Sequence, residues 1–269
     1  IMPKEQFELP TPHMLAEKNS GVGWMIFNNP EKHNAVKVEM WEAIPTILDC
    51  FERDPEIKVI VLKGAGEKAF ISGADISEFE TVRSTKEATS HYEDIADSAT
   101  ERLYHCPKPT IAMIRGYCIG GGAGIAVSCD LRLATEDSRF GIPAAKLSVG
   151  YRHGGIRKLV DLVGPSVAKD IFFTARQLSA PEALNVGLIN RMVPDTELED
   201  SVAEYCQTIG ANAPLTIRSV KQIVGQIVKP DGFDQALCEK LVEDCFTSED
   251  YVEGRRAFME KRKAVFKGR

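Results

Sequence analysis

Residues 108–130 read KPTIAMIRGYCIGGGAGIAVSCD, and the fold follows from how that stretch divides. Lys108 and Pro109 open a run of β-branched and apolar residues, Thr110-Ile111-Ala112-Met113-Ile114, which predicts a buried strand. Gly120 to Gly122 then lead into Ala123-Gly124-Ile125-Ala126-Val127-Ser128-Cys129, which predicts a short, tightly packed helix. Glycines let a backbone approach a ligand closely, and a helix start offers N–H groups with no intrahelical acceptor and a partial positive charge. A site of that kind binds a phosphate or stabilises a developing oxyanion.

A second stretch narrows the choice. Val59-Ile60-Val61-Leu62-Lys63-Gly64 predicts another buried strand, followed by a Gly-rich turn and then Lys68-Ala69-Phe70-Ile71-Ser72-Gly73-Ala74-Asp75-Ile76. Two strand ends, each followed by a small-residue turn, can place one backbone N–H apiece around a single oxygen, as in a two-donor oxyanion hole. Neither stretch is a phosphate-binding loop, because G-x-x-x-x-G-K-[ST] is absent and no G-x-G-x-x-G follows a strand.

At these residues the chain resembles the crotonase (enoyl-CoA hydratase/isomerase) superfamily. Ser72-Gly73-Ala74-Asp75 and Gly116-Tyr117-Cys118-Ile119-Gly120-Gly121-Gly122 are similar to that family's two oxyanion-hole segments. Asn28-Asn29-Pro30-Glu31-Lys32-His33-Asn34-Ala35 is similar to its N-terminal CoA-contacting turn. Phe172 to Arg176, Ala183 to Ile189 and Val193-Pro194 resemble the segments after the active site, and EGRRAFMEKRKAVFK, 253–267, resembles the C-terminal helix. The likeness runs from about Met14 to the C-terminus. It implies an α/β fold, a crotonase-like spiral of ββα units with a helical C-terminal region. The implied division is 1–200 for the spiral core with acyl-CoA binding and active site, and 201–269 for a helical oligomerisation region. The implied assembly is a homotrimer or a dimer of trimers.

Composition places the chain among soluble globular proteins and excludes some functions. The 269 residues are 43% hydrophobic and 27% charged, ordinary for a globular chain. A formal charge of −6 argues against general nucleic-acid binding, which needs a basic surface. Seven cysteines, at 50, 106, 118, 129, 206, 238 and 245, show no C-x-x-C spacing, so neither a disulfide framework nor a metal site is expected. No apolar stretch reaches transmembrane length and the N-terminus lacks a signal-peptide core, so no membrane role is expected. The cytoplasm is the expected location, or an organelle if a transit segment has been removed.

Along the chain, 13–19 and 22–28 read as strands, and 37–53 as an amphipathic helix broken or bent at Pro45. Residues 80–105 are polar and charged with helical character, a composition that suits a mobile helix or flap more than a core element. Leu131 to Ala134 reads as a strand, and a turn-rich segment runs from Phe140 to Gly155. Helices are expected near 155–163, 165–175, 180–187 and 196–212, then almost throughout from Ala213 with a break at Lys229-Pro230-Asp231-Gly232.

The resemblance assigns the oxyanion-hole N–H groups to Ala74 and Gly121. It assigns CoA contacts to Lys32, Ala35, Ile71 and Gly73, with Phe258 and Lys261 closing over a neighbouring subunit's ligand or else packing the trimer. A lysine common in the family is replaced here by Ser77. Hydratases of the family carry two glutamates that position and activate water. The corresponding slots hold Gly124 and, after Phe140-Gly141-Ile142-Pro143, Ala144. With both carboxylates absent, no obvious general acid/base holds the water.

Decarboxylation or another enolate reaction is therefore favoured over simple hydration, since loss of CO₂ makes the enolate without a base. Tyr151 is similar in position to a tyrosine in bacterial methylmalonyl-CoA decarboxylase, although that enzyme has a histidine where Ala74 stands. Tyr151 reads either as a catalytic group or as a core or rim tyrosine. Arg152 either orients a substrate carboxylate or lies on the surface, and His153 is either a base or structural. Asp75 reads as a cap for a helix starting at Ile76. The implied class is an acyl-CoA lyase, hydratase or isomerase of fatty acid metabolism, with coenzyme A part of the substrate and no bound cofactor. The alternatives are a non-catalytic acyl-CoA-binding homologue and a true hydratase with substitute acid/base groups.

Overall fold

The computed structural model describes residues 5–78 and 84–269. Two sheets carry the core. The larger has seven strands in the order β1 (Glu5–Phe7), β2 (Met14–Asn19), β3 (Val22–Phe27), β4 (Val59–Gly64), β6 (Thr110–Ile114), β8 (Leu131–Thr135) and β11 (Arg191–Val193). From β3 onward its neighbours are parallel, whereas β1, β2 and β3 form an antiparallel meander. The smaller sheet has the order β10 (Leu178–Ser179), β9 (Arg139–Gly141), β7 (Tyr117–Ile119) and β5 (Ala69–Ile71). Here β5, β7 and β9 are parallel.

The chain thus alternates between the sheets: β4 then β5, β6 then β7, β8 then β9. After each pair it enters a helix, α2 (Lys86–Tyr104), α3 (Gly121–Ser128) and α4 (His153–Thr174) respectively. This repeated ββα coil is the spiral that the resemblance implies. The three-residue strands of the smaller sheet are not evident in the sequence, because so short a run shows no alternation to read.

The long strands form where the sequence places them because they are buried on both faces. All of β6 is inaccessible, and Val59 to Leu62 of β4 are too, as expected for parallel strands between layers. The main core fills one side of the larger sheet with α1 (Val38–Arg53), which presents Met40, Trp41, Ile44, Ile47, Leu48 and Phe51. Of the break or bend expected at Pro45 there is no break, and α1 continues through it. A proline removes one N–H and crowds the preceding turn, but burial of that apolar face outweighs the loss.

The α2 segment also departs from its expectation as a flap. Tyr92, Ala99 and Leu103 are buried in the main core, and Arg102 binds Asp49 (2.7 Å) and Glu52 (2.7 Å) of α1. Residues 80–83 of the expected flap lie outside the described residues.

The two helices expected near 155–163 and 165–175 are both present, as the two halves of α4. The first starts at His153, the backbone leaves the helical conformation at Gly164, where φ is 76° and Pro165 follows, and the second runs on to Thr174. Beyond it come α5 (Ala180–Asn185), α6 (Leu198–Ala211), α7 (Pro214–Ile227), α8 (Gln235–Phe246) and α9 (Glu249–Met259). The division at 200/201 falls inside α6. Leu198, Val202 and Cys206 of that helix pack on Val59, Val61, Ile111 and Leu133 of the larger sheet, on the face away from α1. The C-terminal helix ends at Met259 rather than near Lys267. The tail doubles back, and Lys267 N and Gly268 N donate to the buried Asp250 carboxylate (2.6 and 2.7 Å).

Candidate active site

The site begins at the turn after β3. Pro30–Lys32 makes one 3₁₀ turn, and His33 and Asn34 adopt left-handed backbone conformations (φ 52° and 56°). Asparagine tolerates that region better than most residues. Asn34 is wholly buried, and its amide donates to Ala65 O (2.9 Å) and Ala69 O (2.8 Å) while accepting from Asn29 N (3.0 Å). The Asn29 side chain donates to Ala35 O (2.9 Å). This satisfied buried network fixes the turn against the β4–β5 corner. The sequence offers Asn34 as part of a CoA-contacting motif; its role as the corner's pin comes from contacts more than thirty residues away.

The same turn is laced to the segment after β5. Ser72 N donates to His33 O (3.1 Å), Val36 N to Gly73 O (2.8 Å) and Asp75 N to Val36 O (2.9 Å). Successive N–H groups along an extended chain point to opposite sides. With Asp75 N–H turned toward Val36, the N–H of Ala74 faces away from it, and among the described residues it has no acceptor. Asp75, 4% exposed, accepts from Ser77 N (3.0 Å) and Ser77 Oγ (2.7 Å), and Lys32 Nζ lies 2.9 Å from it. Burial pushes its carboxyl up, but the contacts from Ser77 and Lys32 outweigh that and hold it below its ordinary value. Asp75 opens a 3₁₀ turn, Ile76–Glu78. Lys32 also donates to Ser77 Oγ (2.8 Å), so its ammonium stands beside the position where family members often carry a lysine.

The second donor segment adjoins the first. β5 and β7 are neighbours, and a Cβ placed on Gly120 would lie 3.7 Å from Gly73 Cα. Gly73 (φ 122°) and Gly120 (φ 56°) both need backbone conformations that L side chains disfavour. Gly120 N donates to Gly141 O of β9 (2.8 Å), which ties the turn to the third coil. α3 starts at Gly121, whose N–H, like that of Ala74, has no acceptor among the described residues. A Cβ on Gly122 would stand 2.4 Å from Ile71 O, so only glycine permits this contact between helix and strand. Two unpaired N–H groups on adjacent turns, one at a positive helix end, can hold a carbonyl oxygen that gains negative charge.

The side-chain half of the site is different. A Cβ on Gly124 would meet nothing within 4 Å, so that slot opens onto free space. Ala144 is buried in the 3₁₀ turn Pro143–Lys146, and its carbonyl accepts from Leu147 N (3.0 Å) and Val149 N (3.1 Å). Tyr151 is partly buried against the main core, its ring edge-on to Phe172 at 5.1 Å. Arg152 turns toward α2, where Asp94 (2.7 Å) and Asp97 (3.0 Å) bind its guanidinium and Ser90 O accepts from it (3.3 Å). Those carboxylates, Asp94 first, raise its pKa. His153 opens α4.

Phe258, 84% exposed, and Lys261 lie at the end of α9, with no hydrogen bond or ion pair to the donor turns among the described residues. Among the described residues no three His, Cys, Asp or Glu side chains assemble as metal ligands, and no helix is long and apolar enough to cross a membrane.

The repeated ββα coil, with two small-residue turns side by side at its centre, defines a class of spiral α/β folds. Residues 17–269 match the enoyl-CoA hydratase/isomerase family, and the chain belongs to it. It is 35% identical over 253 residues to the short-chain-enoyl-CoA hydratase of Clostridium acetobutylicum, covering 93% of this chain and 96% of that protein. It is 31% identical to the crotonyl-CoA hydratase of Syntrophomonas wolfei, with 94% and 97% covered. Among solved structures, an enoyl-CoA hydratase/carnithine racemase from Magnetospirillum magneticum superposes with a TM-score of 0.91 at 32% identity, covering 98% of this chain and 97% of that one.

Proposed function

We propose that this protein is an acyl-CoA enzyme that binds a thioester carbonyl between the N–H groups of Ala74 and Gly121 and stabilises the enolate formed from it. The observation that carries this reading is the pair of unpaired N–H groups on touching turns. Removing one such donor costs about 10²–10³ in rate, so the pair supplies a large part of the barrier reduction without any titratable side chain.

The reaction favoured is loss of CO₂ from a carboxylated acyl-CoA, or another enolate-forming step, rather than hydration. In decarboxylation the bond from the α-carbon to the carboxylate breaks, CO₂ leaves, and the electron pair moves onto the thioester oxygen held by the two N–H groups. A proton then returns to the α-carbon from solvent or from the Tyr151 hydroxyl. Nothing in this sequence of bonds needs the carboxylates missing at Gly124 and Ala144. Hydration by substitute groups is the second reading, favoured by the hydratase names of the relatives.

Lys32, Ala35, Ile71 and Gly73 are proposed to line the CoA path, with Phe258 and Lys261 reaching a neighbouring subunit in a trimer or dimer of trimers. The apolar residues exposed on α7 to α9, Val220, Val224, Ile227 and Phe246 among them, support such an assembly.

The test is mass-spectrometric turnover on methylmalonyl-CoA, malonyl-CoA, crotonyl-CoA and longer enoyl-CoAs, with wild type and Tyr151→Phe. CO₂ loss that falls in Tyr151→Phe while CoA-ester binding persists is the expected result. Binding without turnover on any thioester would point to a non-catalytic homologue instead.

A further inference from the structure

Beside Gly121 lies a buried aromatic pair that the sequence does not single out. Trp41 of α1 is 3% exposed and Tyr92 of α2 is 5% exposed. The indole edge lies directly behind the first residue of α3: a Cβ on Gly121 would be 3.1 Å from Trp41 Cζ2 and 3.5 Å from Cη2. The indole Nε1 in turn donates to the Tyr92 hydroxyl at 3.0 Å. Gly122 is stopped from the other side by Ile71, whose carbonyl oxygen a Cβ there would approach to 2.4 Å. The first turn of α3 is therefore wedged between the β5 backbone and the Trp41 ring.

We propose that Trp41 and Tyr92 are positioning residues for the Gly121 donor. An indole has two torsions and a flat edge, so without the hydrogen bond to Tyr92 it can rotate in its slot, and the wedge loosens. With the bond made, ring angle, helix start and N–H direction are set together. The pair also joins α1 and α2 across the site. Position matters here because a hydrogen bond to a charge-bearing oxygen weakens steeply with distance and angle.

The inference rests on the reading that the Gly121 N–H holds a thioester carbonyl. The test uses butyryl-CoA labelled with ¹³C at the thioester carbonyl as the probe, bound to full-length protein, with its stretching frequency read by isotope-edited infrared difference spectroscopy. Wild type is expected to lower that frequency relative to the free thioester in water. Tyr92→Phe, which keeps the buried ring and removes only the hydroxyl, is expected to lose a large part of this downshift while the probe's Kd changes by less than about threefold. Turnover on the substrate found is expected to fall about tenfold in kcat with little change in KM, an order less than loss of a donor outright. Trp41→Phe, which removes the donor and leaves an aromatic ring, provides the same readout should Tyr92→Phe fold poorly. The double variant is expected to be no worse than the worse single.

A full wild-type downshift in both variants would overturn the positioning role. A wild-type carbonyl at its free frequency would instead overturn the oxyanion reading itself.

Discussion

The turns that follow β5, β7 and β9 occupy corresponding places in three successive coils, and they differ in what they can offer a substrate. The first two end in small residues whose N–H groups, at Ala74 and Gly121, have no acceptor among the described residues, while those of Asp75 and Gly120 beside them are bonded. The third runs Ile142-Pro143-Ala144: its proline has no N–H, and its alanine has no functional group. In the family this third turn contributes a side chain. On the function proposed here the site is backbone-built, and its chemistry would be the kind that fixed dipoles perform, stabilising charge on an oxygen, rather than the kind that a titrating carboxylate performs.

The sharpest way to break this contrast is to put the carboxylates back. A Gly124→Glu/Ala144→Glu variant is expected to raise crotonyl-CoA hydration by about 10²-fold or more, the usual contribution of positioned acid/base groups, as read by loss of enoyl absorbance. Gly124 offers the room for it, whereas Ala144 is buried, so the single Gly124→Glu variant is the control for folding. No gain in either variant would show that the space beside α3 is not where water would be activated.

A second comparison lies within α3. Gly122→Ala forces a methyl into the Ile71 carbonyl and is expected to cost about 3 kcal/mol of stability and most of the carbonyl polarisation. Gly124→Ala, two residues on, meets nothing and is expected to be neutral or stabilising by up to about 1 kcal/mol. Chemical denaturation of both variants checks the pair, and equal destabilisation would contradict the packing described.

A smaller effect concerns the far end of α2. Lys158, 6% exposed, places its ammonium 2.8 Å from Glu101 Oε1 and over the Tyr104 ring, an ion pair rather than a directed hydrogen bond. The contact from His105, with that of Lys158 added against burial, holds the Glu101 carboxyl down to about 2 from an ordinary value of 4.5. Because the folded value lies below the unfolded one, this contribution is complete above about pH 4.5 and is lost as pH falls toward 2. Glu101→Gln is therefore expected to flatten the acid limb of Tm against pH in that window. An unchanged slope would remove Glu101 from the account.

Much of this was legible in the sequence where physics is local. β4 and β6 announce themselves through β-branched runs, α3 through its glycines, and the Gly164-Pro165 interruption through residues that cannot continue a helix. The two small-residue turns at Ser72–Asp75 and Gly120–Gly122 were legible for the same reason: tight turns need small residues, and small residues are visible in a sequence. What was hidden depends on partners distant along the chain. Arg152 reads as either a carboxylate-orienting group or a surface residue, and its partners Asp94 and Asp97 come from α2, more than fifty residues away. Pro45 reads as a break or bend, and the buried face of α1 shows why the helix does not break there. EGRRAFMEKRKAVFK reads as one helix until Asp250 captures the backbone of Lys267 and Gly268. Trp41 and Tyr92 are 51 residues apart, and nothing in the sequence pairs them.

The central claim is that a chain of this family, lacking a carboxylate at both Gly124 and Ala144, forms enolates without activating water. The direct test is the steady-state rate of crotonyl-CoA hydration by the wild-type protein at saturating substrate. A rate indistinguishable from the uncatalysed reaction, from a preparation that binds the thioester, is the result this account expects. Turnover on the order of 10 s⁻¹ or faster, a typical enzymatic kcat, would contradict it and show that other groups hold the water.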